Sequence, residues 1–320
     1  MDQSFSIDLV ICTYNNASLL RGALESLEKL EVASHINWSV LVVDNNCTDG
    51  TFAIVDQFVR RGILRIKTID EKVQGLTAAR LCGVKHTKAE WIAFIDDDCL
   101  LTPDWIEQAA AFLQAHPGCK LFGGRINLAW EQDPPAYVKH FPFAFAGKDH
   151  GDSAHPIKSV AGAGMVVNRK ALEDCGWLDE QHLEDRIGKR LVSGGDVEIC
   201  FRVGVLHELW YNPACTLQHI IPVQRLSKKY LQRIIFGLGI SRHHASALKW
   251  PKSYSLWLLY ASFYSVGMLA MAFNDALITK RRKAGVKVVF ASYLGWCAGV
   301  FAMLRMDAVK RNKLLGAAVR

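Results

Sequence analysis

Three adjacent aspartates, Asp96, Asp97 and Asp98, follow the apolar run 91–95 (WIAFI). Carboxylates crowded at the end of a buried strand repel one another, and a divalent cation offsets that repulsion. Mg2+ or Mn2+ takes one or two protein carboxylates and fills its other positions with phosphate oxygens and water. The alternative is a solvated acidic turn capping a helix near Pro103 and Asp104. Two further polar clusters also end apolar runs. Thr13-Tyr14-Asn15 follows 7–12 (IDLVIC), and Asp44-Asn45-Asn46 follows 38–43 (WSVLVV).

Positioning these clusters requires an ordered set of elements. Helical spacing over 18–30, 51–61 and 75–86 alternates with strand-like runs at 7–12, 38–43, 63–69 and 91–95. Continuous apolar strands separated by helices predict a mostly parallel sheet with helices on both faces. Ligands of such sheets bind at the carboxyl ends of the strands, where the three clusters fall. After residue 120 the pattern is mixed. Strand is expected at 121–130 and 160–167, a Pro- and aromatic-rich loop at 131–158, and helices at 169–175, 194–206 and 228–248. No GxGxxG follows the first strand and no GxxxxGK[ST] occurs, so a Rossmann dehydrogenase and a P-loop nucleotidase fit poorly.

The chain has 320 residues, half of them apolar and 22% charged, which excludes a disordered tail. Lys plus Arg exceeds Asp plus Glu by 38 − 31 = 7, a modest excess that does not by itself imply nucleic acid. Nine cysteines form no CxxC pair and match no zinc module, so buried free thiols in a reducing compartment are expected. The N-terminus lacks a basic stretch followed by an apolar one and reads as a first strand, not a secretion signal.

The segments 9–16 (LVICTYNN), 42–51 (VVDNNCTDGT), 75–85 (GLTAARLCGVK) and 94–98 (FIDDD) together resemble the nucleotide-sugar half of a family-2 glycosyltransferase of the GT-A fold. Downstream, 161–180, 193–203 (SGGDVEICFRV) and 218–226 (QHIIPVQRL) resemble the acceptor half. The resemblance implies a catalytic domain over 1–226, with halves 1–120 and 121–226, and a helical region over 227–320. It implies that Thr13 and Tyr14 line the base pocket and that Asp44 accepts from the base. Arg80 would lie near base and phosphates, and Asp96 would contact the ribose or the metal. Asp97 would face the sugar or solvent, Asp98 would bind the metal, and His219 would complete the metal site. Asp196 resembles the catalytic base of inverting members, taking the proton of the acceptor hydroxyl. Glu198 is the other candidate base, read in preference as a supporting or helix-surface carboxylate, and Asp179 and Glu180 read as residues ordering an acceptor loop. Many relatives carry an acidic residue just before this Asp, where this chain has Gly195. The QxxRW motif of processive synthases is absent, since Gln224-Arg225-Leu226 does not match it. A single transfer per encounter is therefore expected.

The stretches 256–273 and 288–304 carry no charge, and loop 280–287 (KRRKAGVK) holds five cations. If both stretches spanned a membrane, that loop would break the positive-inside tendency. Helices lying on the cytoplasmic face are therefore preferred over a spanning hairpin, with core or oligomer-contact helices as the other option. The basic stretch 225–250 has no RNA-binding signature. The expected function is metal-dependent, inverting transfer of a sugar from a UDP-type donor to a saccharide or lipid-linked hydroxyl. Rival readings are a polyprenyl-phosphate sugar synthase, a non-catalytic nucleotide-sugar-binding scaffold, and a sugar-nucleotide pyrophosphorylase. The last lacks its Gly-rich N-terminal loop here.

Overall fold

The computed structural model describes residues 5–188, 190–250 and 253–317. The chain divides into two compact units. One holds Met1–Ala129, Ala146–Glu180 and Val203–Ile220; the other holds Trp130–Phe145, Gln181–Arg202 and Ile221–Arg320. Segments 130–145 and 181–202, which a boundary at 226 assigns to the catalytic domain, are thus grouped with the C-terminal helices.

The first unit begins β1 (Ser6–Thr13), α1 (Ala17–Leu27), β2 (Asn37–Asp44), α2 (Thr51–Arg61), β3 (Ile66–Asp70), α3 (Leu76–His86) and β4 (Trp91–Asp96). It continues β5 (Cys99–Leu101), α4 (Trp105–Ala115), β6 (Leu121–Trp130), β7 (His155–Ile157), β8 (Met165–Asn168) and α5 (Arg169–Asp174). Helix α6 (Gly195–Leu206) crosses from the second unit into the first, and β9 (Leu209–Ile221) follows it. The strands form one sheet in the order β3-β2-β1-β4-β8-β6-β9-β5, with β7 on β9. The first four are parallel, as the alternating pattern predicts. Strand β8 runs antiparallel to β4 and β6, and β9 runs antiparallel to β5 and β7.

Side chains on alternate sheet positions bury on opposite faces. Leu9, Ile11, Val40 and Val42 pack with Leu20, Leu24, Phe58 and Trp105 from α1, α2 and α4. On the other face α3 comes close because Gly83 has no Cβ; one there would lie 2.4 Å from Val10 Cγ1. The strand expected over 160–167 is shorter and begins at Met165. Gly164 has φ 75°, and a Cβ there would meet Leu217 at 2.7 Å, so the preceding small residues form a turn. The sequence reading assigned no element to β9. Its alternation is interrupted at Pro213, yet Cys215, Leu217, His219 and Ile221 are all buried at period two.

The second unit contains α7 (Lys228–Leu248), α8 (Tyr254–Leu277), α9 (Val286–Val289), α10 (Ala291–Arg305) and α11 (Ala308–Leu314). Ser227 and Ser253 cap α7 and α8, accepting from Tyr230 and Leu256 N–H. Glycines let α7 and α10 cross closely: a Cβ on Gly295 would sit 2.0 Å from Phe236 O. Leu248, Trp257, Ala261, Met268, Trp296 and Met303 form the core between the helices. The apolar stretch 288–304 is divided at Phe290 between α9 and α10. Among the described residues only α8 is long and apolar enough to cross a membrane, by length and composition.

His243 sits in this core at 0% exposure, between the rings of Trp257 (4.9 Å) and Trp296 (5.3 Å). Neither ring nitrogen has a hydrogen-bond partner among the described residues. Burial, with the neighbouring His244 second, pushes its pKa down to about 3. The unfolded chain takes up this proton near pH 6.5 and the folded chain does not. Stability is therefore present above that pH and falls by about 1.4 kcal/mol per pH unit as the pH drops from about 6.5 towards 3. His243→Leu is expected to flatten that slope, read as Tm against pH between about 6.5 and 4.5.

Candidate active site

Parallel register assembles the site. Thr13 pairs with Asp44 and Cys12 with Asp96, so the polar clusters after β1, β2 and β4 share one sheet edge. The turns there use Asn15 and Asn46 at φ 51° and 66°, a region asparagine enters more readily than most residues. Asn45, a positioning residue to which the sequence reading gave no role of its own, closes the edge. Its amide donates to Glu71 O and Val73 O, and its oxygen accepts from Gly75 N–H at 2.7 Å. That network fixes the start of α3. Asp44 Oδ1 accepts from Cys47 N–H at 2.7 Å, and Tyr14, the residue after Thr13, is 41% exposed.

Arg80, on α3, is buried with its guanidinium 3.7 Å from Asp96 Oδ1 and over the Phe94 ring at 5.4 Å. Gly162 leaves room for it, since a Cβ there would lie 2.2 Å from Arg80 Nη2. The three aspartates diverge. Asp96 is half-buried at the end of β4. Asp97, expected to face the sugar or solvent, is half-buried and accepts from Thr13 Oγ1 at 2.7 Å and Asn16 Nδ2 at 2.6 Å. It ties the β1–α1 turn to the acidic run. Burial first, and the Asp98 charge second, push Asp97 up to about 7.

Asp98 is buried beside β9. Cys99 pairs with His219 across β5 and β9, and Ile220 N–H donates to Asp98 O at 2.8 Å. His219 Nε2 then lies 3.3 Å from Asp98 Oδ2, with both side chains about 5% exposed or less. Ligand atoms of Asp96, Asp98 and Cys99 lie within 4.8 Å of one another. Burial and the nearby aspartates raise the Cys99 pKa well above its ordinary value, which keeps the sulfur a thiol. Two carboxylates with an imidazole suit a borderline-hard divalent cation better than a soft one. These residues fit such an ion. Cys99 is the neighbour that the sequence reading treated as an ordinary buried thiol.

Asp196 and Glu198 stand in the first turn of α6. Asp196 is half-buried and its Oδ1 accepts from Val197 N–H at 2.8 Å. Glu198 is fully buried and engaged on both oxygens. It accepts from His182 N–H, from Leu183 N–H at 2.7 Å, and from Arg202 Nη1 at 3.1 Å. It therefore anchors the segment before α6. Asp179 and Glu180 are exposed in the turn after α5, where both backbone N–H groups donate to Gly176 O.

A parallel nucleotide-binding-type half extended by antiparallel strands, with an acidic edge, is the architecture of a GT-A glycosyltransferase. The solved mannosyltransferase PcManGT from Pyrobaculum calidifontis, in complex with GDP-Man and Mn2+, has this fold. It superposes at TM-score 0.61 with 16% identity, over 92% of this chain and 87% of that one. S. aureus TarS 1-349 in complex with UDP-GlcNAc superposes at 0.54 with 14% identity, over 92% and 91%. Residues 8–176 match Glycosyl transferase family 2, and the chain belongs to that family. Glycosyltransferase AglE of Haloferax volcanii is 25% identical over 191 residues, 60% of this chain and 59% of AglE. The putative glycosyltransferase EpsH of Bacillus subtilis is 31% identical over 103 residues. That match covers 32% of this chain and only 29% of EpsH. The glucosyl-dolichyl phosphate glucuronosyltransferase of Haloferax volcanii is 20% identical over 241 residues, 74% of this chain and 76% of that protein.

Proposed function

We propose that this chain is a metal-dependent, inverting glycosyltransferase that takes a sugar from a UDP-linked donor. The acceptor is a hydroxyl of a saccharide or lipid-linked saccharide, and the reaction runs at the cytoplasmic face of a membrane. The observation that carries this reading is the edge where Thr13, Asp44 and Asp96 end neighbouring strands and Asp98 follows in the turn to β5, with Arg80 and His219 brought to the acids. In this reading Asp44 accepts from the uracil imide and Tyr14 offers its exposed ring to the base. Arg80, held over Phe94, directs positive charge at the diphosphate. Asp96, Asp98 and His219 hold Mn2+ or Mg2+, which when bound neutralises charge on the leaving diphosphate. Asp196 accepts the proton of the acceptor hydroxyl as that oxygen attacks the anomeric carbon. Attack opposite the leaving group inverts that centre in one displacement. The resemblance to a glucosyl-dolichyl phosphate glucuronosyltransferase supports a lipid-linked acceptor.

The test is a panel of nucleotide sugars with Mn2+ or Mg2+, reading nucleotide release with and without a membrane lipid extract. UDP release that needs metal and rises with lipid is the expected result. Metal-dependent UDP binding without hydrolysis or transfer would instead identify a scaffold.

Two substitutions probe the donor side. Asp98→Asn keeps an oxygen for His219 but removes a charge from the ion site. It should weaken Mn2+ retention by about 100-fold, measured by electron paramagnetic resonance of free Mn2+. Gly162→Val puts a Cβ where the Arg80 guanidinium lies. The guanidinium is the far end of a flexible chain, so it moves and the fold survives. UDP affinity should fall about tenfold by calorimetry, about 1.4 kcal/mol, with Tm nearly unchanged.

A further inference from the structure

We infer that α8 lies in the plane of an anionic lipid surface, with its outward stripe sunk into one leaflet. This deepens the membrane attachment in the proposed function and rests on that reading only for which membrane is meant. Leu256, Leu259, Phe263, Val266 and Leu277 recur at helical spacing along α8, each about half exposed or more. Phe263 is 71% exposed and Leu277 is 69% exposed. The opposite stripe, Trp257, Ala261, Met268 and Ala272, is buried within the second unit. The helix is therefore apolar on two faces, and only one of them has a protein partner among the described residues.

Its neighbours decide its orientation. Trp257 packs on His243 of α7, Ser265 Oγ accepts from Trp296 Nε1 of α10 at 2.9 Å, and Phe273 meets Phe290 at 5.2 Å. Helix α8 thus touches α7 near its start, α10 near its middle, and the junction of α9 and α10 near its end. Helix α7 carries Lys228, Lys229, Arg233 and Arg242. Helix α10 has 15 residues, about 22 Å, against a hydrocarbon core of about 30 Å. Neither neighbour can span, so α8 lying in the plane keeps its contacts with both on one side of the bilayer.

Charge selects the occupant. From Tyr254 to Ala317 the chain has nine cations (Lys280 to Lys283 as a run of four, Lys287, Arg305, Lys310, Arg311, Lys313) and two acids, Asp275 and Asp307. Arg281 pairs with Asp275 at 3.0 Å, and Arg305 lies over the exposed Phe301 ring at 4.3 Å, its stem along apolar surface. An apolar stripe bordered by cations matches acyl chains beneath anionic head groups. A second copy of the chain would bring the same cations against themselves.

The test adds the full-length chain, tagged at both ends, to preformed vesicles and reads flotation. Binding is expected with phosphatidylcholine containing about 30 mol% phosphatidylglycerol, and should fall about tenfold in pure phosphatidylcholine. The double variant Phe263→Gln with Val266→Gln should float about tenfold less on the anionic vesicles. Phe52→Gln, an equally exposed change on α2 of the first unit, should float like the parent. Protease added outside should remove both tags. UDP release without lipid, measured in parallel, tests the catalytic reading separately and should be unaffected by the double variant. Undiminished flotation of the double variant would overturn the inference, as would equal binding to neutral vesicles. A C-terminal tag protected inside the vesicle would show a spanning helix. A lipid-free dimer that the double variant separates would show that a second copy covers the stripe.

Discussion

Asp196→Asn is expected to lower sugar transfer by about 1,000-fold while leaving UDP affinity and Tm unchanged. Asparagine is isosteric, and its carbonyl oxygen can still accept from Val197 N–H, so the first turn of α6 keeps its bond. What is lost is the ability to take a proton from a hydroxyl. The measurement is kcat at saturating UDP-sugar with a saccharide acceptor, beside calorimetry of UDP binding. An acceptor phosphate is already ionised and needs no strong base. Transfer to a polyprenyl phosphate that the variant leaves within about tenfold of the parent would therefore point to that acceptor.

Two residues further on, the outcome should be opposite in kind. Glu198→Ala is expected to destabilise the protein by about 3–5 kcal/mol. The carboxylate is fully buried, and its removal takes the acceptor from His182 and Leu183 N–H and an ion-pair partner from Arg202. Denaturant and thermal unfolding read this directly. Glu198→Gln, which keeps one acceptor oxygen, should lose less. If Glu198→Ala instead kept its Tm and lost turnover, Glu198 and not Asp196 would be the base.

Much of this was legible in the sequence because short-range patterns carried it. The β–α alternation to Asp96 predicted the parallel strands, and strand ends predicted where Thr13, Asp44 and the aspartates meet. Family likeness, not periodicity, pointed to His219. The reason it approaches Asp98 is the β5–β9 pairing, a contact between segments far apart in the chain. Strand β9 was invisible because Pro213 interrupts its alternation and it follows directly on a helix. The bonds of Asp97 were not legible either, since Thr13 and Asn16 reach it from another strand end far away in the chain. The two-faced character of α8 was hidden too, since composition alone cannot separate a stripe packed on protein from one left open.

The nearness of Gly162 to Arg80 has a consequence for how such a chain can change over time. The guanidinium fills the volume that any side chain at 162 would need. A change at either position is thus felt at the other. A descendant that gains a side chain at 162 either swings the Arg80 guanidinium out of its place or carries a shorter residue at 80, and in both cases meets negative charge at that edge in a different way.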